Sequence, residues 1–381
     1  MMKVNRYISI VIFVLILWLP LGMNLIGWDE DPDAKQVEVP KLTFKQTDSA
    51  VGIKEITRGL YKDIMMYKDG IDGYFLETYP LKDISFTSYR DIQREVFGAD
   101  PIPKKVVEGR EGWMFLGNSY SEVITESIGL ELFPPGYLKH IKKTVSDREK
   151  WLASKNVAYY MAIAPNKHSV YGEYLPIKYR DTISKKKQLL ELLSDDHRII
   201  DMAKDFSEYK KGDKLFYKTN THWTDIGAYW GYYNLMLEIK KGFPEVQILP
   251  ISAVEREVKT TNSEDLTRML RIEVGEEVIQ LVNNNKQSIG LEKQLPVPDY
   301  YKSNPSTYEY RYKSDVNDLK VLMLGDSFST ALRQFLRESF GEIVILRSYT
   351  LSESIIEKEA PDILIHQFVE RGVDMLPVTR K

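Results

Sequence analysis

The eight residues 157–164, Val-Ala-Tyr-Tyr-Met-Ala-Ile-Ala, are all apolar, and Pro165 follows at once. A strand with one wet face alternates polar and apolar side chains. A short run without alternation reads as a strand covered on both faces. Just before it, residues 135–155 place Leu138, Ile141, Val145 and Leu152 at helical spacing. A helix over 184–193 and a short strand at Ile199-Ile200 continue the alternation. It resumes late in the chain, with a buried strand at 321–324, a helix over 328–339, a strand at 343–346 and a last apolar run at 363–365. Helices alternating with buried strands predict an α/β fold built on a largely parallel sheet flanked by helices.

With 381 residues and 43% apolar content, the chain can bury one large core, alone or with an appendage. The net charge of −3, with no basic block, sets aside nucleic acid as a partner. There is no cysteine, which excludes disulfides, thiolate catalysis and Cys-ligated zinc. Histidines and carboxylates do not recur at ligand spacing, and no glycine-rich phosphate cradle occurs, so neither a metal nor a cofactor is expected.

At the amino end, Lys3 and Arg6 precede an uncharged, mostly apolar stretch over 7–28, and Asp29, Glu30, Asp31 and Asp33 follow it. About twenty residues at ~1.5 Å each match a bilayer core. The basic flank predicts an amino terminus inside and the rest outside, and no small-x-small cleavage pattern follows the run. Residues 1–28 therefore read as an uncleaved single-pass transmembrane anchor, 29–105 as a tether, and 106–381 as the catalytic domain. That domain starts near a glycine turn, Gly109 to Gly112, leading into Trp113-Met114-Phe115-Leu116. Residues 242–318 break the rhythm with polar and proline-containing stretches and read as an insertion.

The chemistry centres on Gly325-Asp326-Ser327-Phe328, where the buried strand breaks and a helix begins, presenting Ser327 as a nucleophile would be presented. A serine hydroxyl needs a base. The helix start points free N–H groups toward a developing oxyanion, with the amide of Ser327 itself as a donor. The plainer alternative is that Asp326 or Ser327 only caps the helix. For the base, Thr219-Asn220-Thr221-His222-Trp223-Thr224 is the most distinctive histidine setting. Asn220 would hold the far imidazole nitrogen, Trp223 would pack the ring, and Thr224 would cap a helix over 225–241. Asn220 and Thr224 as a turn and a cap alone is the competing reading. His168 and His366, near strand ends, are reserve bases; His140 and His197 read as surface residues.

The ordered pair His-Trp and Gly-Asp-Ser-Phe resembles the alginate O-acetyltransferase family, whose catalytic domain is a circularly rearranged SGNH hydrolase-like α/β fold. Supporting matches are Gly112-Trp113-Met114-Phe115-Leu116, Pro165-Asn166-Lys167 and Glu264-Asp265-Leu266-Thr267-Arg268-Met269-Leu270. The resemblance covers about 109–372. It implies that Ser327 attacks an acetyl donor, that His222 carries the proton, and that a polysaccharide hydroxyl resolves the acetyl-serine. It also implies a membrane-bound O-acyltransferase as the supplier of acetyl groups, which suits an anchored extracytoplasmic domain at the cell membrane. Gly325, Asn166 and Lys167 are candidates for oxyanion or substrate contacts. The family's Asp-x-His-Trp is Asn220-x-His222-Trp223 here, and an amide orients imidazole but gives imidazolium no charge. Asp225 is a candidate substitute acid. An acetyl esterase on the same fold and a noncatalytic polysaccharide-binding scaffold stay open as alternatives.

Overall fold

The computed structural model describes residues 14, 41, 63–64, 67–68, 71, 82–99, 102–177, 183–194, 198–262, 264–284, 289–290 and 309–378. The chain divides into two compact units, Met1–Pro101 and Ile102–Lys381. In the first, a helix over Lys82–Asp91 runs on into a π-helical turn, Ile92–Val96. The expected anchor over 1–28, residue 14 apart, and much of the expected tether lie outside the described residues. Among the described residues, no helix is long and apolar enough to cross a membrane.

The second unit opens with a small antiparallel hairpin, β1 (Val106–Glu108) and β2 (Met114–Leu116). The main strands are β3 (Ala158–Ala164) and β4 (Ile199–Asp201) early in the chain. Late in the chain come β9 (Lys320–Leu324), β10 (Glu342–Leu346) and β11 (Ile363–Val369). Between these groups lie β5 (Glu255–Thr261), β6 (Glu276–Val282), β7 (Ile289–Gly290) and β8 (Glu309–Lys313). The main sheet has the order β4-β3-β11-β9-β10-β8-β7, and its first five strands are parallel.

Successive residues of these strands face opposite sides, and the two sides bury separate clusters. Tyr160, Ala162, Val321, Met323, Ile343 and Ile345 pack with α4 (Asp225–Gly242) and α6 (Ser329–Leu336). Tyr159, Met161, Leu322, Leu324, Val344 and Leu364 pack with α2 (Pro135–Ala153), α3 (Lys185–Leu193) and α7 (Glu353–Glu359). The continuous apolar runs are therefore the middle layer of three. Ser184 and Thr224 cap α3 and α4, their side chains accepting from Lys187 N and Gly227 N.

The sheet expected to be parallel is mixed. β8, from within the stretch expected as an insertion, pairs antiparallel with β10, and β7 pairs antiparallel with β8. The link from β8 to β9, residues 314–319, is too short for the crossover that parallel strands need. Arg311 pins β8 in place: one guanidinium nitrogen lies 2.6 Å from Glu342 and the other 2.9 Å from both carboxylate oxygens of Glu359. The same stretch supplies the hairpin β5–β6 and the helix α5 (Asp265–Leu270). Leu266 and Leu270 of α5 join Val106, Met114 and Leu116 in a third, smaller core.

The helix α1 (Val123–Ser127) carries Glu126, which is 1% exposed, with no hydrogen-bond partner for either carboxylate oxygen among the described residues. Burial, reinforced by the nearby Glu370 carboxylate, pushes its pKa from 4.5 up to about 8. The folded state thus holds a proton that the unfolded chain releases near 4.5, and stability falls as pH rises from there through about 8. Glu126→Gln, which cannot ionise, should raise the melting temperature at pH 9 by ~5 °C while changing it little at pH 5. Melting curves at the two pH values check this; an equal change at both would contradict it.

Candidate active site

β9 ends at Leu324, and α6 begins at Ser329. The turn between them is fixed by the carboxylate of Asp326. Its Oδ1 accepts from Phe328 N at 2.8 Å, and its Oδ2 accepts from Val369 N at 2.5 Å and Tyr349 Oη at 2.7 Å. Gln367 Nε2 donates to both oxygens, at 3.1 and 3.2 Å. A side chain at Gly325 would collide with this arrangement, because a Cβ there would stand 2.6 Å from Gln367 Oε1. The amide of Gly325 donates to Leu346 O. The expected oxyanion role for Gly325 is therefore corrected: its N–H belongs to the sheet ladder, and its lack of a side chain makes room for Gln367.

The turn leaves Ser327 Oγ 2.7 Å from His222 Nε2. His222 Nδ1 lies 2.8 Å from Asn220 Oδ1, which also accepts from the His222 backbone N–H at 3.0 Å. The other end of the Asn220 amide donates to Glu264 Oε2 at 2.5 Å. That contact and the His222 N–H on Oδ1 together set which way the amide faces. With its carbonyl toward the ring, Nδ1 carries the proton and Nε2 is the acceptor facing the serine. The imidazole lies beside Phe328 with ring centroids 5.0 Å apart, and Phe328 meets Trp223 at 5.1 Å. Trp223 sits against Gly231 of α4, where a Cβ would stand 2.8 Å from the indole. Burial lowers the pKa of His222 from 6.5; the Asp265 carboxylate opposes this and the Arg371 guanidinium adds to it. The ring is a neutral base at pH 7.

The backbone that carries His222 is held from several directions. Lys167, 2% exposed, donates to Tyr217 O, Lys218 O and Asn220 O at 3.0, 3.1 and 2.8 Å. Burial pushes its ammonium down to about 7, opposed by the carboxylates of Asp265 and Glu276. Glu276 accepts from the amides of Lys218 and Thr219, both at 2.9 Å. Met114 N of β2 donates to Lys218 O, and Leu266 N of α5 donates to Thr219 O. Asp265 accepts from Thr221 N at 2.8 Å and from the Thr221 hydroxyl. Its Oδ2 stands 3.7 Å from His222 Nδ1.

A cleft of about 550 Å³ opens over Ser327 and His222, lined also by Asn220, Tyr217, Gln280, Gln334, Arg333 and Arg347. Ser327, His222 and Asn220 thus meet as a set. Lys167 does not join them as a substrate donor: its three N–H groups are taken by loop carbonyls. Asn166, also expected to contact substrate or oxyanion, instead donates its N–H to Glu370 Oε2 at 2.9 Å and accepts from Arg371 through Oδ1 at 2.9 Å. Asp225, the candidate substitute acid, lines the same cleft but is not among the neighbours of His222 Nδ1, which are Asn220, Thr221 and Asp265; its Oδ2 accepts from Leu281 N at 3.0 Å.

Of the other histidines, His168 bonds Leu116 O, and His366 lies between Tyr159 Oη and Tyr349 O. Burial pushes both down to about 3. His140 is exposed, and His197 lies outside the described residues. Glu264 and Asp265 open a segment that sequence reasoning matched to the family, yet it gave them no role in the site. Nothing nearby in sequence reveals what they face.

A family model described as an SGNH hydrolase-like domain of the acetyltransferase AlgX matches residues 106–350. Among solved structures, Bacillus cereus PatB1 is similar at a TM-score of 0.51 and 16% identity, over 71% of this chain and 98% of that one. The same protein with a sulfonyl adduct gives a TM-score of 0.52 and 16% identity, over 72% and 98%. The O-acetyltransferase domain of Pseudomonas putida AlgJ aligns at a TM-score of 0.45 and 18% identity, over 73% and 94%. No curated protein matches the sequence.

Lys167→Met should leave the carbonyls of Tyr217 and Asn220 without this donor, at ~1–3 kcal/mol each, while Lys218 O keeps Met114 N. It should also slow sulfonylation of Ser327 ~10²-fold by loosening the His222 loop. Labelling of Ser327 by a sulfonyl fluoride, followed by mass spectrometry at a temperature where the variant is folded, checks this. Labelling at the wild-type rate would contradict it.

Proposed function

Since this chain belongs to the SGNH hydrolase-like AlgX acetyltransferase family, we propose that it is an extracytoplasmic polysaccharide O-acetyltransferase working through an acetyl-Ser327 intermediate. Being an O-acetyltransferase follows from the family; the acceptor, the compartment and the residue roles are this reading's own. The 2.7 Å contact between Ser327 Oγ and His222 Nε2 carries it.

In the first half-reaction His222 Nε2 takes the Ser327 proton as Oγ attacks the carbonyl carbon of an acetyl ester. The amide of Ser327, at the start of α6, donates to the oxyanion. As the bond to the donor oxygen breaks, His222 returns the proton to that oxygen, leaving acetyl-serine. In the second half-reaction a sugar hydroxyl gives its proton to His222 and attacks the acetyl carbon. Ser327 then leaves as the alkoxide and regains the proton. Asn220 keeps the imidazole in the tautomer that both halves need. That weighs against a noncatalytic scaffold, for which an unoriented histidine would serve as well.

The basic, apolar and acidic order of the first thirty-odd residues supports an anchored enzyme whose active site is outside the membrane. Such a position suits delivery of acetyl groups by a multispanning membrane-bound O-acyltransferase. Tyr217 and the cleft's Gln, Asn and Arg side chains offer a sugar hydrogen-bond partners and a ring face.

Ser327→Ala should abolish acetyl-enzyme formation from 4-nitrophenyl acetate and lower O-acetyl transfer by at least ~10³-fold. Mass spectrometry of the trapped protein and the O-acetyl content of surface polysaccharide from cells carrying either form check it. Undiminished transfer in the variant would overturn the proposal, and release of acetate without transfer would mark an esterase.

The acylation rate should also rise with pH and level off, because protonated imidazole cannot accept the serine proton. The pKa of His222 is pushed below 6.5, so the midpoint should lie below that value. A rate profile across pH 4–9 with a midpoint at or above 6.5 would contradict this assignment of the base.

A further inference from the structure

We infer that the negative charge missing from position 220 is supplied one step further out, by Glu264 and Asp265 at the start of α5, with Glu264 acting as a positioning residue through Asn220. The inference rests on the Ser327–His222 reading for its activity measurements alone.

Three observations lead to it. The Asn220 side chain is held at both ends: Oδ1 by the ring and backbone of His222, and Nδ2 by Glu264 at 2.5 Å. An amide has two nearly isosteric ends, and only a neighbour can decide which faces the imidazole. A carboxylate accepts and never donates, so Glu264 forces the NH₂ group toward itself and the carbonyl toward Nδ1. Without it only the His222 N–H on Oδ1 opposes turning the amide over. In the turned form the NH₂ would face Nδ1, the ring proton would move to Nε2, and Ser327 would lose its base.

The second observation is Asp265, next in sequence, whose Oδ2 stands 3.7 Å from Nδ1 and is fixed there by Thr221. It is near enough to favour imidazolium without being the bonded partner. Third, α5 is itself held, by Leu266 and Leu270 in the core shared with the β1–β2 hairpin and by Leu266 N on Thr219 O. The two carboxylates therefore keep their register with the His222 loop.

The pair Asn220–Glu264 is then an inner amide with an outer carboxylate, and the reversed pair, inner carboxylate with outer amide, makes the same hydrogen bonds with the same total charge. This yields a result opposite to simple expectation. Asn220→Asp alone recreates Asp-x-His-Trp, yet it sets two carboxylates at hydrogen-bond distance, where they must repel or share a proton.

The test uses the full chain in detergent, with 4-nitrophenyl acetate as acyl donor. Asn220→Asp and Glu264→Leu should each slow Ser327 acylation about 10- to 100-fold at pH 7, short of the ~10⁴ of a fully wrong tautomer. Asn220→Asp/Glu264→Gln should recover most of the Asn220→Asp loss, a coupling that independent structural defects would not show. Faster acylation in Asn220→Asp alone, or losses that simply add, would overturn the inference.

An activity-free readout separates it from the proposed reaction. In ¹⁵N-histidine-labelled protein, the neutral His222 ring should carry its proton on Nδ1 in wild type and shift toward Nε2 in Glu264→Leu. In Asp265→Asn, with Arg371, Asp326 and Arg347 unchanged around the ring, the His222 midpoint should move to lower pH. Unmoved ¹⁵N shifts in Glu264→Leu would refute the positioning role. The expected shifts in a protein that never acylates Ser327 would sink the proposed reaction and leave the inference standing.

Discussion

The carboxylate of Asp326 is the point at which fold and site become one structure. Four groups converge on it: the amides of Phe328 and Val369, the hydroxyl of Tyr349 and the side-chain amide of Gln367. They come from the start of α6, the end of β11 and the segment after β10. One anion therefore ties together the carboxyl ends of three neighbouring strands, and Ser327 is the next residue. Each of these bonds is charge-assisted, and removing the anion would leave its donors to find partners in a half-buried place. The turn at Ser327 is held by this network, with the helix start following from it.

The carboxyl ends of parallel strands are where open α/β sheets gather their chemistry, and this chain follows that pattern unevenly. Ser327 follows β9, Asn166 and Lys167 follow β3, and Glu370 and Arg371 follow β11. His222, however, belongs to no strand of the main sheet. Its segment crosses the sheet end as irregular backbone, and such backbone stays put only when its polar groups are satisfied. Lys167, Glu276, Met114 and Leu266 do that between them. Lys167 ties the base-bearing loop to the same sheet edge that presents the nucleophile, so both partners of the 2.7 Å contact share one foundation.

How much of this could be read from sequence depended on whether the controlling interaction is local. The doubly covered strands were legible because burial on both faces removes all alternation, as in residues 157–164 and 321–324. The cap Thr224 was legible because capping acts over three residues. The pairing of β8 was not: Glu309-Tyr310-Arg311-Tyr312-Lys313 alternates charge with aromatic rings, and its place on β10 is set by the distant carboxylates Glu342 and Glu359. Ser327, His222 and Asn220 could be chosen by residue type and setting. The partners of Lys167, Gly325 and Asn166 could not, because which donor meets which acceptor is decided only after the layers close. Glu264 and Asp265 are a further case, more than forty positions from the residues they face.

That distance bears on what an amide at position 220 does to a base. A carboxylate bonded to Nδ1 does two things at once: it fixes the tautomer and it raises the imidazole pKa. Here the two effects are divided. Asn220 fixes the tautomer by contact, while the nearest charge, on Asp265, acts from 3.7 Å. Coulombic support weakens with distance and with the exposure of the pair, so burial prevails and the pKa of His222 falls below 6.5. The consequence is a weaker base that stays unprotonated further into the acid range. For a residue proposed to take a proton from a hydroxyl and return it within the same cycle, remaining in the neutral form can matter as much as basicity. On this view the amide shifts the pH range of the base and does not mark a dead site, and the Asp265 carboxylate opposes that shift.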